Sequence, residues 1–408
     1  MTSSCLNRLG RALVLLAALL EFSVAAQAES LSAIFTNIAP AARPAIPRRA
    51  SIIFIQCDGL GYGDLSCYGQ TKYQTPNLDR LAAEGIRFTN YFAGAAASSP
   101  ACAALLLGKD AVKQRADADV PLAADDITVA QILKNSGYRT GLIGEWNLGD
   151  ENSAGAPWKK GFEEFAGYLN AADAENYYAD YMFRCAPGGF LNPTNNLRED
   201  YLGREMLYPN TGGNRGTYIP DLLTKAALNF VKINQPDQFN HFRPFFLLLN
   251  YNLPHAGKTL QVPSDAPFSE EPWPQPERNK AAAIARLDGY VGQLLDQLHK
   301  LGLTNNVAVF FSSDTTPKKS ATEDPAFFHS NISTNDLRVP MMVRWPGKIP
   351  AGRVSGLKWS PRDFLPTAAE IAYVDPMPAS DGISMLPVLL GQPGTTTNVV
   401  PDRMDIRF

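Results

Sequence analysis

A serine at the start of a predicted helix is the first candidate for chemistry in this chain. In SSPACAALLLGKD, residues 98–110, Ser98 stands in a short loop that leads into an apolar helix. A serine hydroxyl becomes a nucleophile when a base or a metal ion activates it, and no cationic residue adjoins Ser98 in the sequence. His255 is the candidate base. The alternative role of Ser98 is to cap the N-terminus of the helix, which suits a serine shortly before Pro100.

Three titratable side chains follow apolar segments of the sequence. Asp58 comes after SIIFIQC, His255 after PFFLLLNYNLP and Asp314 after NVAVFFSS. In α/β proteins, ligands bind beyond the carboxyl ends of parallel strands, so we expect these side chains to meet at one edge of a sheet. The alternative for the two aspartates is hydrogen bonding at the strand ends, without a ligand.

The elements that would position these residues alternate between strands and helices. Continuous apolar runs such as SIIFIQ (51–56) are typical of strands that are buried on both faces of a sheet. One helix is predicted to begin at Pro76, after Thr75, and a longer one to span about 278–300. Further strands are predicted at IRFTNYF, RTGLIG, PFFLLLNY, NVAVFFSSD and VPMMVRW, and further helices at ITVAQILKNS and near 219–234. This order predicts an α/β fold with a large, mostly parallel sheet and helices on both faces.

Two long segments, roughly 145–216 and 255–276, show no clear period and are predicted to be irregular loops around the same edge of the sheet. The first segment contains the aromatic residues Tyr168, Tyr177, Tyr178, Tyr181 and Phe183. Such rings can stack on sugars, and the alternative is that they pack the loop itself.

Charge balance and the N-terminal residues indicate the cellular context. Lys and Arg number 37 against 40 Asp and Glu in 408 residues, so no basic excess points to nucleic acid. Arg8 and Arg11 precede the apolar run ALVLLAALL, and small residues follow at 26–28. This pattern predicts a signal peptide over 1–28, export to the periplasm or the extracellular space, and no membrane span after cleavage. A short membrane anchor is the alternative. Residues 29–50 are predicted to be a linker.

Six motifs stand in order along the chain: CDGLGYGDLSCYG, TPNLDRLAAEGIRFTNYF, YRTGLIG, the Pro254-His255 pair, SSD at 312–314 and LRVPMMVRWPGKIPAGRVS. Together they resemble the motifs of the sulfatases of the alkaline phosphatase superfamily, particularly bacterial arylsulfatase-like members. The resemblance implies the fold of that superfamily, with a sulfatase domain over 51–391. The tail, 392–408, is too short for the family's small C-terminal antiparallel domain, which we expect to be absent or truncated.

In that family, a Cys or Ser in a C/S-x-P-x-R loop is oxidised to formylglycine, whose hydrate attacks sulfur. Three Asp and one Asn hold a Ca²⁺ ion that polarises the sulfate, and Lys and His side chains stabilise the charge. A hard cation prefers oxygen ligands, and a group that gains negative charge is stabilised by fixed cations and donors.

The resemblance places the nucleophile at Ser98, but Cys102 stands at the position of the loop arginine. We therefore expect no formylglycine. Asp58 and Asp314 match two of the calcium ligands, whereas Gly59 and Thr315 replace the other two. Ca²⁺ is therefore expected to bind weakly or not at all.

The charge-stabilising positions are also changed. His255 matches the histidine of the family's Pro-His pair, but Glu145 replaces a lysine and Asn147 a histidine. The sequence thus favours a catalytically inactive member of the family with a remnant cleft, whose partner would be a sulfated or other carbohydrate. The alternative is an active sulfuric or phosphoric ester hydrolase that uses Ser98 as its nucleophile.

Overall fold

The computed structural model describes residues 49–95, 97–110, 120–191, 198–255, 260–317 and 337–392, with the backbone alone at 189–191, 198 and 199. The predicted signal peptide, nearly all of the predicted linker and the tail from residue 393 lie outside these ranges. None of the helices within them is long and apolar enough to cross a membrane.

Ten strands of the described residues form one sheet. In chain order they are β1 (Ser51–Asp58), β2 (Ile86–Phe88), β3 (Arg139–Glu145), β4 (Glu164–Tyr168), β5 (Tyr181–Leu191), β6 (Arg198–Met206), β7 (Phe245–Pro254), β8 (Val307–Ser313), β9 (Met341–Arg344) and β10 (Arg353–Ser355). Their order across the sheet is β10-β2-β9-β8-β1-β7-β3-β4-β5-β6. The five central strands, β8 to β4, run parallel, whereas β9, β5 and β6 run antiparallel to their neighbours. The predicted α/β fold with a mostly parallel sheet is confirmed.

Helices cover both faces of this sheet. They are α1 (Pro76–Ala83), α2 (Ser98–Leu107), α3 (Val129–Asn135), α4 (Ala171–Ala174), α5 (Ile219–Ile233), α6 (Gln275–Lys300), α7 (Phe364–Ile371) and α8 (Leu386–Leu389). Apolar side chains of α2, α3 and α7 share one core cluster with Ile52 and Phe54 of β1. Those of α1, α5 and α6 share a second cluster with Ile53 and Ile55. Successive residues of β1 thus point to opposite faces, and its continuous apolar sequence follows from burial on both.

Local sequence signals explain how the chain enters β3. Thr128 caps α3, since its hydroxyl accepts a hydrogen bond from the amide of Gln131 at 3.2 Å while the Gln131 side chain accepts one from the Thr128 amide at 2.9 Å. After α3, Gly137 has φ = 90°, in the left-handed region that favours glycine. The chain therefore turns sharply into β3, which carries Glu145 to the far edge of the sheet.

The prediction that 145–216 is irregular is wrong. This segment contains β4 and the antiparallel strands β5 and β6, which extend the sheet. Aromatic residues of this segment pack inside the protein, which was the alternative to stacking on sugars. Tyr168, Tyr177 and Phe183 are buried in the two core clusters. In the second segment, the described residues 260–274 contain no helix or strand, as predicted.

Candidate active site

Four neighbouring strands bring titratable side chains to one edge of the sheet. Asp58 is the last residue of β1 and Glu145 the last of β3, while Asp314 directly follows β8 and His255 directly follows β7. Because these strands are adjacent in the order β8-β1-β7-β3 and parallel, their carboxyl ends lie together. Residues that are up to 256 positions apart in sequence therefore contribute to one site, which we call the strand-end cluster.

Asp58 and His255 form an ion pair in which Nδ1 of the imidazole contacts Oδ2 of the carboxylate. On its other side, Nε2 of His255 lies 3.6 Å from Oε1 of Glu175. The hydrogen bond to Asp58 raises the pKa of His255 to about 9, although burial acts in the opposite direction. The imidazole is therefore protonated near neutral pH and has no lone pair with which to accept a proton.

Ser98 pairs with Asp314 and not with His255. The Ser98 hydroxyl, in the first turn of α2, donates a hydrogen bond to Oδ2 of Asp314. Burial first, and then the charge of Asp58, raises the pKa of Asp314 to about 7. The N-cap residue of α2 is Ala97, so the capping role considered for Ser98 is wrong. The predicted base, His255, does not contact the Ser98 hydroxyl, and Asp314 does.

Thr315 connects the two aspartates, and this arrangement tests the calcium site that the resemblance implies. Its hydroxyl lies 3.3 Å from Oδ1 of Asp58 and 3.0 Å from Oδ1 of Asp314. With His255 and Ser98 on the Oδ2 atoms, all four carboxylate oxygens already have a protein partner. Gly59, at φ = 71°, contributes no side-chain oxygen. Across the described ranges, no group of three or more His, Cys, Asp and Glu side chains is arranged to hold a metal ion. The residues present therefore fit Ca²⁺ poorly, because this ion prefers six to eight oxygen ligands.

Glu145 adds a third carboxyl group to the strand-end cluster. It is buried, Asn147 Nδ2 donates a hydrogen bond to its Oε1, and its backbone carbonyl accepts one from Asn250 Nδ2 at 2.7 Å. Burial first, and then the charges of Asp58 and Asp314, raises the pKa of Glu145 to about 8. Among the described residues, Asn147 Oδ1 has no hydrogen-bond partner although the atom is buried. The side chains at these two positions thus form a hydrogen bond with one another and present no cation.

Cys102 lies at the position where the resemblance implies an arginine. Its side chain is buried in α2, and Sγ accepts a hydrogen bond from Gln56 Nε2 at 3.3 Å. Burial raises the pKa of the thiol, so the group is neutral. It supplies neither the charge nor the fork of donors that a guanidinium would offer to Ser98.

The strand-end cluster therefore carries an excess of acidic groups. Within the described ranges, His255 is the cation that pairs with these carboxyl groups. Glu175 and Gln56 could not be identified from the sequence, because Glu175 stands outside the apolar runs and Gln56 lies within the run that forms β1 and not after it. The contact of His255 with Glu175 arises only from the fold of the segment after β4.

Comparison with known proteins agrees with this architecture. A sequence model of the sulfatase family matches residues 50–374. Human arylsulfatase A is 31% identical over 374 residues, which cover 87% of this chain and 70% of that protein. Canine N-acetylgalactosamine-6-sulfatase is 29% identical over 371 residues, covering 85% and 67%, so the chain spans about two thirds of the length of these relatives.

A solved structure described as Ps i-CgsB in complex with a neocarrahexaose superimposes with a TM-score of 0.66 and 26% identity, over 84% of this chain and 76% of that chain. A phosphonate monoester hydrolase of Agrobacterium radiobacter shares the fold at 19% identity, with a TM-score of 0.59 over 86% of this chain and 79% of that chain. Together with the family match, these similarities define the class of protein. The chain belongs to the sulfatase family, whose reaction is the hydrolysis of sulfate esters.

Proposed function

We propose that this sulfatase-family protein does not hydrolyse sulfate esters and keeps the strand-end cluster as a remnant cleft. The observation that carries the proposal is the burial of Glu145 beside Asp58 and Asp314, with their charges raising its pKa. A sulfate ester is an anion, and its transition state for hydrolysis requires fixed cations and donors aimed at the developing charge. Three clustered carboxyl groups oppose both binding and reaction.

Coulomb's law gives the size of the loss in substrate binding at the position of Glu145. A cation about 4 Å from a sulfate contributes about 4 kcal/mol at an effective dielectric constant of about 20, and Glu145, which its raised pKa keeps mostly protonated at neutral pH, contributes none of this attraction. If solvent screening leaves a quarter of the loss, about 1 kcal/mol remains, which corresponds to about fivefold weaker binding of the substrate. Above the pKa of Glu145 its carboxylate also repels the sulfate, so the loss is larger there.

The roles of the individual residues are part of the proposal. Ser98 stands at the nucleophile position without an arginine to support it, and Cys102 leaves it unconverted to formylglycine. Asp58 and Asp314 are the remaining half of a calcium site that Gly59 and Thr315 have made incomplete. His255 neutralises Asp58 and is not a base.

Turnover of 4-nitrophenyl sulfate by the purified protein and by Ser98→Ala tests the proposal. We expect the two proteins to give the same rate, equal to the rate without enzyme. Glu271→Gln, which removes an exposed carboxylate on the loop before α6, is the matched control for handling and purity. Turnover that the Ser98→Ala substitution abolishes would overturn the proposal.

A second candidate function rests on the contact between Ser98 and Asp314. A carboxylate whose pKa is about 7 can accept the proton of a hydroxyl that is hydrogen-bonded to it, which is the arrangement of an activated nucleophile. The chain would then be a hydrolase of phosphoric or sulfuric esters that acts without formylglycine. Turnover of 4-nitrophenyl phosphate that is lost in both Ser98→Ala and Asp314→Asn would support this function.

Export and a carbohydrate ligand complete the proposal. The pattern of residues 1–28 supports export with cleavage of a signal peptide. The structural relative in complex with a neocarrahexaose supports a sulfated or other carbohydrate as partner.

A further inference from the structure

A surface pocket lies beside α3, away from the strand-end cluster. It is lined by Ile127, Gln131, Lys134, Asn135, Trp158, Lys159 and Gly161, and its volume is about 240 Å³. Gly161 accepts a hydrogen bond from Thr140 Oγ1 at 2.6 Å, which places this part of the pocket near the start of β3. Glu145 ends the same strand, about 16 Å further along at about 3.3 Å for each residue. The pocket is therefore separate from the remnant cleft.

The lining combines an aromatic ring with hydrogen-bond donors and cations. Trp158 is half-buried and packs at one side against Phe165, with 6.3 Å between the ring centroids. Its indole N–H donates no hydrogen bond to the described residues, and the pocket lining contains no Asp or Glu. Part of an aromatic surface and an indole N–H without a partner among the described residues are thus available to a ligand, and the absence of carboxylates favours a ligand that is rich in oxygen acceptors.

Two lysines give the pocket its charge. Lys134 is exposed at the C-terminal end of α3, and the Lys159 ammonium donates to the carbonyls of Asn152 at 3.2 Å and Ser153 at 2.9 Å. An ammonium has three donors, so Lys159 is held in place by two hydrogen bonds and keeps one donor for a ligand. Gln131 is likewise fixed, since its Oε1 accepts the Thr128 amide and leaves Nε2 to donate.

We propose that this pocket binds a saccharide unit that carries an anionic group, either a sulfate or a carboxylate. The sugar ring stacks on Trp158 and against the exposed side chain of Ile127, its hydroxyls accept from Gln131 and Asn135, and its anionic group lies between the lysines. The volume is slightly below the range of about 300–1,000 Å³ that is typical for drug-sized ligands, which fits one sugar unit of a longer chain. This inference does not depend on whether the remnant cleft is catalytic.

Calorimetric titration of the full chain with three oligosaccharides tests the proposal. The probes share one backbone and differ in their substituents: one is sulfated, one contains a uronic acid and one is neutral. We expect the anionic probes to bind at least about fivefold more tightly than the neutral one, because each partly exposed charge pair contributes up to about 1 kcal/mol. The ratio between the two anionic probes shows whether sulfate or carboxylate is the natural group.

Variants then locate the binding. The double substitution Lys134→Gln and Lys159→Gln should remove the preference for anionic probes, whereas Lys300→Gln, which removes an exposed lysine at the end of α6, should not. Trp158→Ala should weaken binding of all three probes, and Trp158→Phe, which preserves packing against Phe165, should restore part of it. Unchanged affinities in the double variant would overturn the proposal. So would binding that is lost in Ser98→Ala, since this result would place the saccharide in the remnant cleft.

Discussion

Replacement of Glu145 by glutamine is the perturbation that tests the electrostatics of the strand-end cluster most directly. The pKa of Glu145 is raised from 4.5 to about 8, so between these pH values the native protein holds a proton that the unfolded chain releases. The free energy of unfolding of the natural protein must therefore fall as the pH rises through this interval. Glutamine has the shape of the protonated acid but cannot ionise, so Glu145→Gln lacks this loss.

The size of the effect has an upper limit set by the two pKa values. About 3.5 pH units at about 1.4 kcal/mol each correspond to about 5 kcal/mol. The measured effect should be smaller, because Asp314 shares the same repulsion and takes up a proton in the same range. Even half of this value corresponds to a difference of roughly 3 °C in melting temperature for a domain of this size.

Thermal unfolding of the natural protein and of Glu145→Gln at pH 5 and at pH 9, with a chelator present, measures the effect. At pH 5 the two melting temperatures should be close, and at pH 9 the variant should melt several degrees higher. Glu271→Gln serves as control for the loss of one exposed carboxylate. A difference between the natural protein and Glu145→Gln that is the same at both pH values, or that favours the natural protein at pH 9, would refute this account of the cluster.

Three further predictions concern modification, metal and folding. When the protein is produced together with a formylglycine-generating enzyme, peptide mass spectrometry should show Ser98 with its unmodified mass, and a loss of two hydrogens would contradict the role assigned to Cys102. Calcium at 1 mM should change the melting temperature very little, since a site with half its ligands binds at about millimolar concentration or more weakly; a rise of several degrees at micromolar calcium would show a complete site. Thr128→Ala should lower the free energy of unfolding by about 1–2 kcal/mol in urea denaturation, because its hydroxyl accepts from the amide of Gln131 and donates to the carbonyl of Lys160 at 2.6 Å. Thr128→Ser should retain most of this stability, and an unchanged midpoint for Thr128→Ala would contradict the capping role.

The fold was predictable where burial leaves a strong signal in the sequence. The strands β1, β7 and β8 are buried along their whole length, so each appears as a predominantly apolar run. The strand β6 was missed because its sequence, REDYLGREM, mixes charged and apolar residues at the edge of the sheet. An edge strand needs no continuous apolar sequence, so the apolar residues of this segment do not recur at the regular spacing that would predict a strand.

The candidate site was predictable in its location but not in its pairings. The ends of apolar strands identified Asp58, His255 and Asp314, since parallel strands bring these ends together. That Ser98 would contact Asp314 and that His255 would contact Asp58 depends on side-chain directions at the sheet edge, which spacing along the chain does not encode. The functional roles of these residues remain predictions.

The two outer strands of the sheet also limit how readily another chain can pair with the edges of the sheet. A free strand edge offers unpaired amides and carbonyls to any other chain, and the sheet ends in β10 on one side and β6 on the other. The strand β10 has only three residues, which is too short to template a partner strand. On β6, Arg204 lies over the rings of Tyr181 and Phe183, and Glu205 pairs with Arg184 at 3.1 Å. A strand that docked along β6 would have to displace or desolvate these charges, which disfavours edge-to-edge aggregation. The charged residues that make β6 difficult to predict from the sequence therefore also protect this edge of the sheet.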